Sequence, residues 1–331
     1  MHDLPPPLRD ALERETRAAD PSRVTARARR IIELYQSDRF TDSGSPVLAD
    51  PEAVLAYAVY RMPATYAAVR EALGRTAAGL PGWSPSSHLD LGGGTGAAVG
   101  AARDLWPDVA STVLEQAGPA MRLGERFLAS PGAAPAHWRQ HDLLSGVPCE
   151  PADLVTVSYV LGELPQAARR PVVEAAAAAA GVLVVVEPGS RAGHERLMQA
   201  RDLLLDKGFR TIAPCPGDEP CPLRAGDDWC HMATRVTRSA AHRAAKGGTL
   251  GYEDEKFAYV ALASPAVVAQ VGAHPVTGRV LRRPVQPKGR VELTVCDGAT
   301  VGRVVASKRD REALRAARDT AWGDPWPPEP A

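Results

Sequence analysis

Two groups of residues in this 331-residue chain have the types and spacing to do chemistry. The first lies in LDLGGGTGAAVGAA, Leu89 to Ala102, where an apolar run ends in a carboxylate and passes into glycines. Gly92, Gly94 and Gly96 allow a tight turn and a close approach of backbone to ligand, and a helix beginning there offers free N–H groups. Asp90, in the strand end before them, can hydrogen-bond the amino or carboxyl end of a methionine-like moiety, directly or through water. Glu115 ends the next strand, STVLE, nineteen positions after Gly96, where it can accept both hydroxyl protons of a ribose. Asp142 ends a third strand, HWRQHD, and suits an adenine amino group. The glycine spacing is not the G-x-G-x-x-G of nicotinamide-binding domains.

The second group is made of thiols. A reducing compartment keeps cysteines free, so the five in this chain point to metal or redox chemistry and not to a disulfide framework. Cys215, Cys221 and Cys230 stand in APCPGDEPCPLRAGDDWCH with five and eight residues between them, and Cys296 follows in VELTVCDG. Soft thiolates in a Pro- and Gly-rich loop suggest metal ligation, because such a loop needs a cross-link to hold its shape. The missing C-x-x-C knuckle weakens zinc without excluding it, and four thiolates suit a [4Fe-4S] cluster equally well. Chance clustering of buried thiols is the competing reading. His231, beside Cys230, is a substitute ligand or, better, a packing or RNA-contact residue. Cys149 has no Pro-Cys catalytic-loop context and reads as an incidental thiol.

The elements that must position these groups follow from periodicity. Residues 1–80 read as helical, with apolar residues at three- and four-residue spacing over Val24 to Tyr35 and Pro51 to Leu73, and Pro63 is expected to kink or split the latter. From about 87 to 187, short apolar runs alternate with helical stretches, the pattern of parallel strands covered on both faces. Gly193 to Gly208 reads as a further helix, FRTIAPC and Glu255 to Ala263 as strands, and residues beyond about 275 as a basic, strand-rich tail. The fourth strand end, VSYVLGELP, lacks the Asn/Asp-Pro-Pro-aromatic tetrad of enzymes that methylate base nitrogens. It offers Ser158, Tyr159 and Glu163 as substrate-side groups.

Composition sets bounds. Basic and acidic residues balance at 39 each, so the whole-molecule field makes no case for nucleic acid. No apolar run reaches the roughly 18 to 20 residues of a membrane span, and MHDLPPPLRD resembles neither a signal nor a transit peptide. A cytoplasmic protein without a membrane partner is expected, monomeric away from any larger assembly.

The stretch from Asp90 through Gly96 resembles the first motif of class I S-adenosylmethionine-dependent methyltransferases, an acidic residue before G-x-G-x-G. That resemblance, over about residues 85–263, implies an α/β, Rossmann-like seven-stranded sheet with a reversed final strand. A sharper likeness lies in APCP…PCPL…DWCH, GYEDEKFAYVAL, RRPVQPKGRVELTVCDG, AARDTAWGD and AYAVYRMPATYAAV. These segments resemble the mitochondrial small-ribosomal-subunit methyltransferase-like proteins and their bacterial relatives. The likeness implies association with the small subunit during assembly and a [4Fe-4S] cluster on Cys215, Cys221, Cys230 and Cys296. S-adenosylmethionine would be held by Asp90, Gly92, Gly94, Gly96, Glu115 and Asp142. The expected organisation is a helical region over 1–80, a methyltransferase-like domain over 81–263 with a Cys-rich insertion at 213–250, and a basic extension over 264–331 supplying the fourth cysteine.

Contact with small-subunit rRNA and proteins would need local charge. HMATRVTRSAAHRAAK is expected to form a helix with Arg235, Arg238, His242 and Lys246 near one face, where a solvated face is the bland alternative. Arg279 to Arg318 holds eleven Arg or Lys against four Asp or Glu, which nominates Arg282, Arg283, Lys288, Arg290, Lys308 and Arg309 for phosphates. The expected function is an rRNA methyltransferase of ribosome assembly. The alternatives are a non-enzymatic assembly factor with a degenerate methyltransferase domain, and a small-molecule methyltransferase with structural zinc.

Overall fold

A computed structural model describes residues 2–36, 48, 50–129, 132–148, 150–246, 248–274 and 276–328; Cys149 lies outside these described residues. Three helices open the chain: α1 (Pro6–Ala18), α2 (Pro21–Gln36) and α3 (Pro51–Gly79). The side chain of Asp50 caps α3 by accepting from the Ala53 N–H at 2.8 Å, and Pro51 starts its first turn, where no N–H is missed. Of the two outcomes expected at Pro63, a kink or a split, the split does not occur: α3 runs unbroken through it. An interior proline costs about 3 kcal/mol, whereas burial of each of Val59, Met62, Tyr66, Val69 and Leu73 stabilises the helix by about 1.5–3 kcal/mol. Packing therefore carries the helix across the break.

The main sheet is built from β1 (Ser87–Leu91), β2 (Ala110–Glu115), β3 (Ala136–Gln140), β4 (Ala152–Ser158), β5 (Ala180–Pro188), β6 (Arg210–Ala213), β7 (Met232–Thr237) and β8 (Tyr252–Ala263). Its order is β3-β2-β1-β4-β5-β8-β6, with β7 pairing the first half of β8. The first five strands pair in parallel, and β8 lies antiparallel between β5 and β6. Helices α4 (Ala97–Leu105), α5 (Gly118–Leu128), α6 (Gln166–Ala179) and α7 (Arg191–Asp206) supply the crossovers. Val182, Val184 and Val186 of β5 enter one core with α3, α4 and α5, while Leu183 and Val185 enter the other with α6 and α7. A strand buried on both faces has no polar alternation, which is why these runs are continuous.

The sheet has eight strands where seven were expected. The extra one, β7, comes from the segment read as a helix through Arg235 and Arg238. Met232, Thr234 and Val236 are buried and their neighbours are not, a two-residue period that favours a strand. Only Ala240–Lys246 is helical, as α8. After α9 (Pro265–Val271), a second sheet of β9 (Arg279–Val280), β10 (Arg290–Cys296) and β11 (Val301–Ser307) packs with α10 (Arg311–Asp319) around its own core of Val280, Val291, Leu293, Val295 and Leu314. Among the described residues no helix is long and apolar enough to cross a membrane.

Candidate functional site

In an open α/β sheet, ligands bind beyond the carboxyl ends of strands where the strand order reverses. Here that point lies between β1 and β4, and a cavity there is lined by Asp90, Gly92, Gly93 and Gly94 from the end of β1 and by Ser158 and Tyr159 from the end of β4. Tyr57, Met62 and Thr65 of α3 form its other wall, a contribution that sequence reading missed because nothing in α3 marks a binding face. The cavity is about 40 Å³. Small-molecule sites run to roughly 300–1,000 Å³, so this cavity encloses only part of a ligand the size of an adenosyl group.

Asp90 is 1% exposed. Its Oδ1 accepts from Thr156 Oγ1 at 2.6 Å, and its Oδ2 has no partner. Burial pushes its carboxyl up to about 7; the Thr156 bond opposes the shift and the Glu115 charge adds to it. Ser158 Oγ is likewise buried without a partner. Gly93, absent from the expected set, is sterically the most constrained glycine of the loop: a Cβ there would overlap Val113 and come within 2.6 Å of Asp90 Oδ2. Gly92 and Gly94 have φ of +67° and +57°, a region open to glycine at little cost.

The remaining expected cofactor residues, Gly96, Glu115 and Asp142, lie outside the lining of this cavity. Gly96, also at positive φ, is the N-cap of α4 and does not line the cavity. Glu115 is 5% exposed and accepts from the N–H groups of Gly94 at 2.9 Å and Ala117 at 2.7 Å, so it braces the glycine loop. Burial raises its pKa against those same bonds. A carboxylate has about four lone-pair sites, so capacity for a further donor remains. Asp142 does not end the third strand as expected. That strand stops at Gln140, and the exposed Asp142 accepts from the Leu144 N–H at 2.9 Å to cap the turn Leu143–Ser145.

Among the described residues Tyr159 is the one non-glycine at positive φ, 60°. Its hydroxyl donates to Glu255 Oε1 at 3.0 Å, and Arg61 pairs with the same carboxylate at 3.0 Å while its guanidinium lies 5.0 Å from the Tyr159 ring centre. Such a conformation persists only where its surroundings over-determine it, and it concentrates at functional sites. Glu163 lies in the turn after β4, away from the cavity lining.

The four described cysteines carry free thiols and all line a second cavity, of about 30 Å³. Cys215 follows β6, Cys221 and Cys230 sit in the loop to β7, and Cys296 is the last residue of β10, so the second sheet delivers the fourth thiol. Burial pushes the Cys215 thiol up to about 11 and raises that of Cys230, with repulsion from neighbouring thiolates adding to both. Among the described residues no set of three or more His, Cys, Asp and Glu side chains is already placed around a single metal ion, while the four thiols share one cavity wall. His231 packs against Trp322, with ring centres 4.9 Å apart, as a packing residue would. His194 Nε2 lies 4.0 Å from Cys221 Sγ, and Arg201 and Arg279 line the thiol cavity; sequence reading singled out none of these three.

The nominated basic residues divide. Arg235 pairs with Asp254 at 2.9 Å, Arg238 pairs with Glu253 at 2.6 Å, Lys246 pairs with the same Glu253, and His242 is fully buried beside it. These cations answer the carboxylates of β8 and share no open helical face. Arg282 pairs with Asp228, and Arg290 with Glu292 at 2.6 Å. The register Arg290↔Ser307 sets Lys288 and Arg290 beside Lys308 and Arg309, all exposed, at one end of the second sheet. Arg283 is exposed as well.

The family described as "Mitochondrial small ribosomal subunit Rsm22" matches residues 51–327. The human "Ribosome assembly protein METTL17, mitochondrial" is 30% identical over 293 residues, 82% of this chain and 61% of that protein. "Rsm22-cox11 tandem protein 2, mitochondrial" of Schizosaccharomyces pombe is 25% identical over 193 residues, 45% of this chain and 25% of that one. The chain thus spans less than two thirds of either relative. Among solved structures, the N-methyltransferase NodS from Bradyrhizobium japonicum with S-adenosyl-L-homocysteine aligns with a TM-score of 0.39 and 15% identity, covering 60% of this chain and 85% of that one. The expected cytoplasmic location is overturned by the family and the human and yeast relatives, each of which is described as mitochondrial.

Proposed function

As the chain belongs to the Rsm22 family of mitochondrial small ribosomal subunit proteins, we propose that it serves small-subunit assembly with an S-adenosylmethionine cleft at the β1–β4 switch point and a [4Fe-4S] cluster on four cysteines. One observation carries the cleft: two residues that line the same cavity, Asp90 and Ser158, each keep a buried polar atom, Oδ2 and Oγ, without a partner. An unmet buried acceptor costs about 1–3 kcal/mol, and a ligand ammonium on Asp90 removes that cost. The Gly92–Gly94 backbone then faces the ligand, and Glu115, held by the loop, stands next to it for ribose hydroxyls. The bound cofactor would supply an electrophilic methyl group; the chain's part is to align acceptor and donor, which requires no general base.

The donor set fits a metal centre, since four soft thiols line one cavity and come from two separate elements. Cys215, Cys221, Cys230 and Cys296 would hold the group, tying the loop before β7 to the second sheet. Zinc is the other occupant their chemistry accepts. For rRNA, Lys288, Arg290, Lys308 and Arg309 form the favoured phosphate contact, with Arg282 and Arg283 at its side.

A second reading, a non-enzymatic assembly factor with a degenerate methyltransferase domain, is favoured by the 40 Å³ size of the cleft. Mapping methylated nucleotides in small-subunit rRNA from a deletion strain separates the two. Loss of a methyl mark, restored by the native chain, supports the enzyme. A deficit of small subunits with every mark retained supports the factor, and normal subunits with all marks present overturn both.

A further inference from the structure

Arg201 of α7 is 1% exposed and lines the thiol cavity, yet among the described residues it pairs with no carboxylate. Its Nη2 donates to the carbonyls of Gly217 at 2.8 Å and Glu219 at 2.9 Å, and its buried Nε has no partner. The acidic residues of the loop it holds are engaged or outside: Asp218 pairs with Arg210, and the exposed Glu219 offers Arg201 its carbonyl. A buried charge with no counter-charge costs several kcal/mol, so an anion is missing from the account of this residue. Arg279, the other cation on the cavity wall, donates to the carbonyls of Pro214 and Gly323, each at 2.9 Å, and the like charge of Arg75 lowers its pKa further after burial. Arg201 differs in holding the loop between two of the cysteines through both of its carbonyl bonds.

We propose that Arg201 is the counter-cation and positioning residue of an anionic metal–thiolate centre, balancing its charge and holding the loop between Cys215 and Cys221 by two carbonyl bonds. The inference rests on the metal-centre reading above. Four thiolates around a dicationic core, whether zinc or an oxidised iron–sulfur cluster, leave net negative charge in a partly buried site. A guanidinium fixed in the cavity wall stabilises the centre. In a redox-active cluster it also favours the reduced, more negative state, so its charge raises the midpoint potential.

The test uses the full chain, loaded anaerobically with iron and sulfide, alongside Arg201→Gln, which removes the charge, and Arg201→Lys, which keeps it. Iron, sulfide and zinc per chain are measured first, then the rate of metal loss to a chelator, then the midpoint potential. The Gln variant should bind metal roughly 10- to 100-fold more weakly, the range set by outer hydrogen-bond partners of metal ligands, and its midpoint potential should fall. The Lys variant should recover the native potential. A Gln variant with native metal retention and native potential overturns this inference and leaves the metal centre standing. A native chain that takes up neither iron and sulfide nor zinc overturns the metal-centre reading and this inference together. If the Gln variant does not fold, Lys decides alone: a folded Arg201→Lys chain that cannot hold metal sinks the role of the charge.

Discussion

Thr156 and Asp90 are register partners on neighbouring parallel strands, and the Thr156 hydroxyl donates to Asp90 Oδ1 across 2.6 Å. The bond fixes the carboxylate so that Oδ1 is taken up within the protein while Oδ2 has no partner.

Proton linkage at Asp90 gives the first prediction. Burial lifts its carboxyl from an ordinary 3.8 to about 7, so between those values the folded state binds more protons than the unfolded one. The ligand-free protein should therefore lose stability as pH rises through that window, because ionisation in the core is disfavoured. Affinity for a cationic ligand ammonium should move the other way and increase as Asp90 ionises around pH 7. Thermal melts and ligand titrations from pH 5 to 8 check both slopes, and Asp90→Asn should flatten both.

Gly93→Ala tests the loop without touching charge. The added methyl meets Val113 and Asp90 Oδ2, and overpacking of this kind costs about 1–3 kcal/mol. Chemical denaturation should read that loss, with cofactor affinity falling alongside it. Gly94→Ala has no such clash and should be penalised only for its positive φ.

Cys296→Ser asks whether the second sheet supplies a metal ligand. Iron and sulfide should fall to background, although Cys296 lies in a different sheet from β6 and β7, which flank the other three thiols. Native content in the variant would place the ligand set elsewhere.

The basic end of the second sheet predicts a salt effect. Each phosphate contact contributes roughly 0.7–0.9 to the slope of log affinity against log salt. Charge reversal of Lys288, Lys308 and Arg309 should thus lower the slope for small-subunit rRNA by roughly 2–3. Reversing Arg235, already paired with Asp254, should leave the slope nearly unchanged.

What the sequence disclosed follows from the range of the interaction involved. The turn through Gly92 and Gly94 is local and legible, as are the doubly buried strands. The burial of Arg201 is not, because GHERLMQARDLLLDKG reads as an ordinary amphipathic helix until the cysteine loop folds over it. Glu115 as a brace for the Gly94 N–H depends on the register of β1 with β2, which no local pattern encodes. The helix expected through Arg235 came from charges at helical spacing. The alternation of Met232, Thr234 and Val236 was the stronger signal, since it determines what is buried.

Calorimetric titration of the anaerobically purified full chain at pH 8 measures directly whether the β1–β4 cleft binds S-adenosylmethionine. Saturable binding of one ligand per chain is expected, weakened roughly 10- to 100-fold by Asp90→Asn through loss of a charged hydrogen bond. A native chain without saturable binding, or a variant of equal affinity, would rule out a cofactor site built on Asp90.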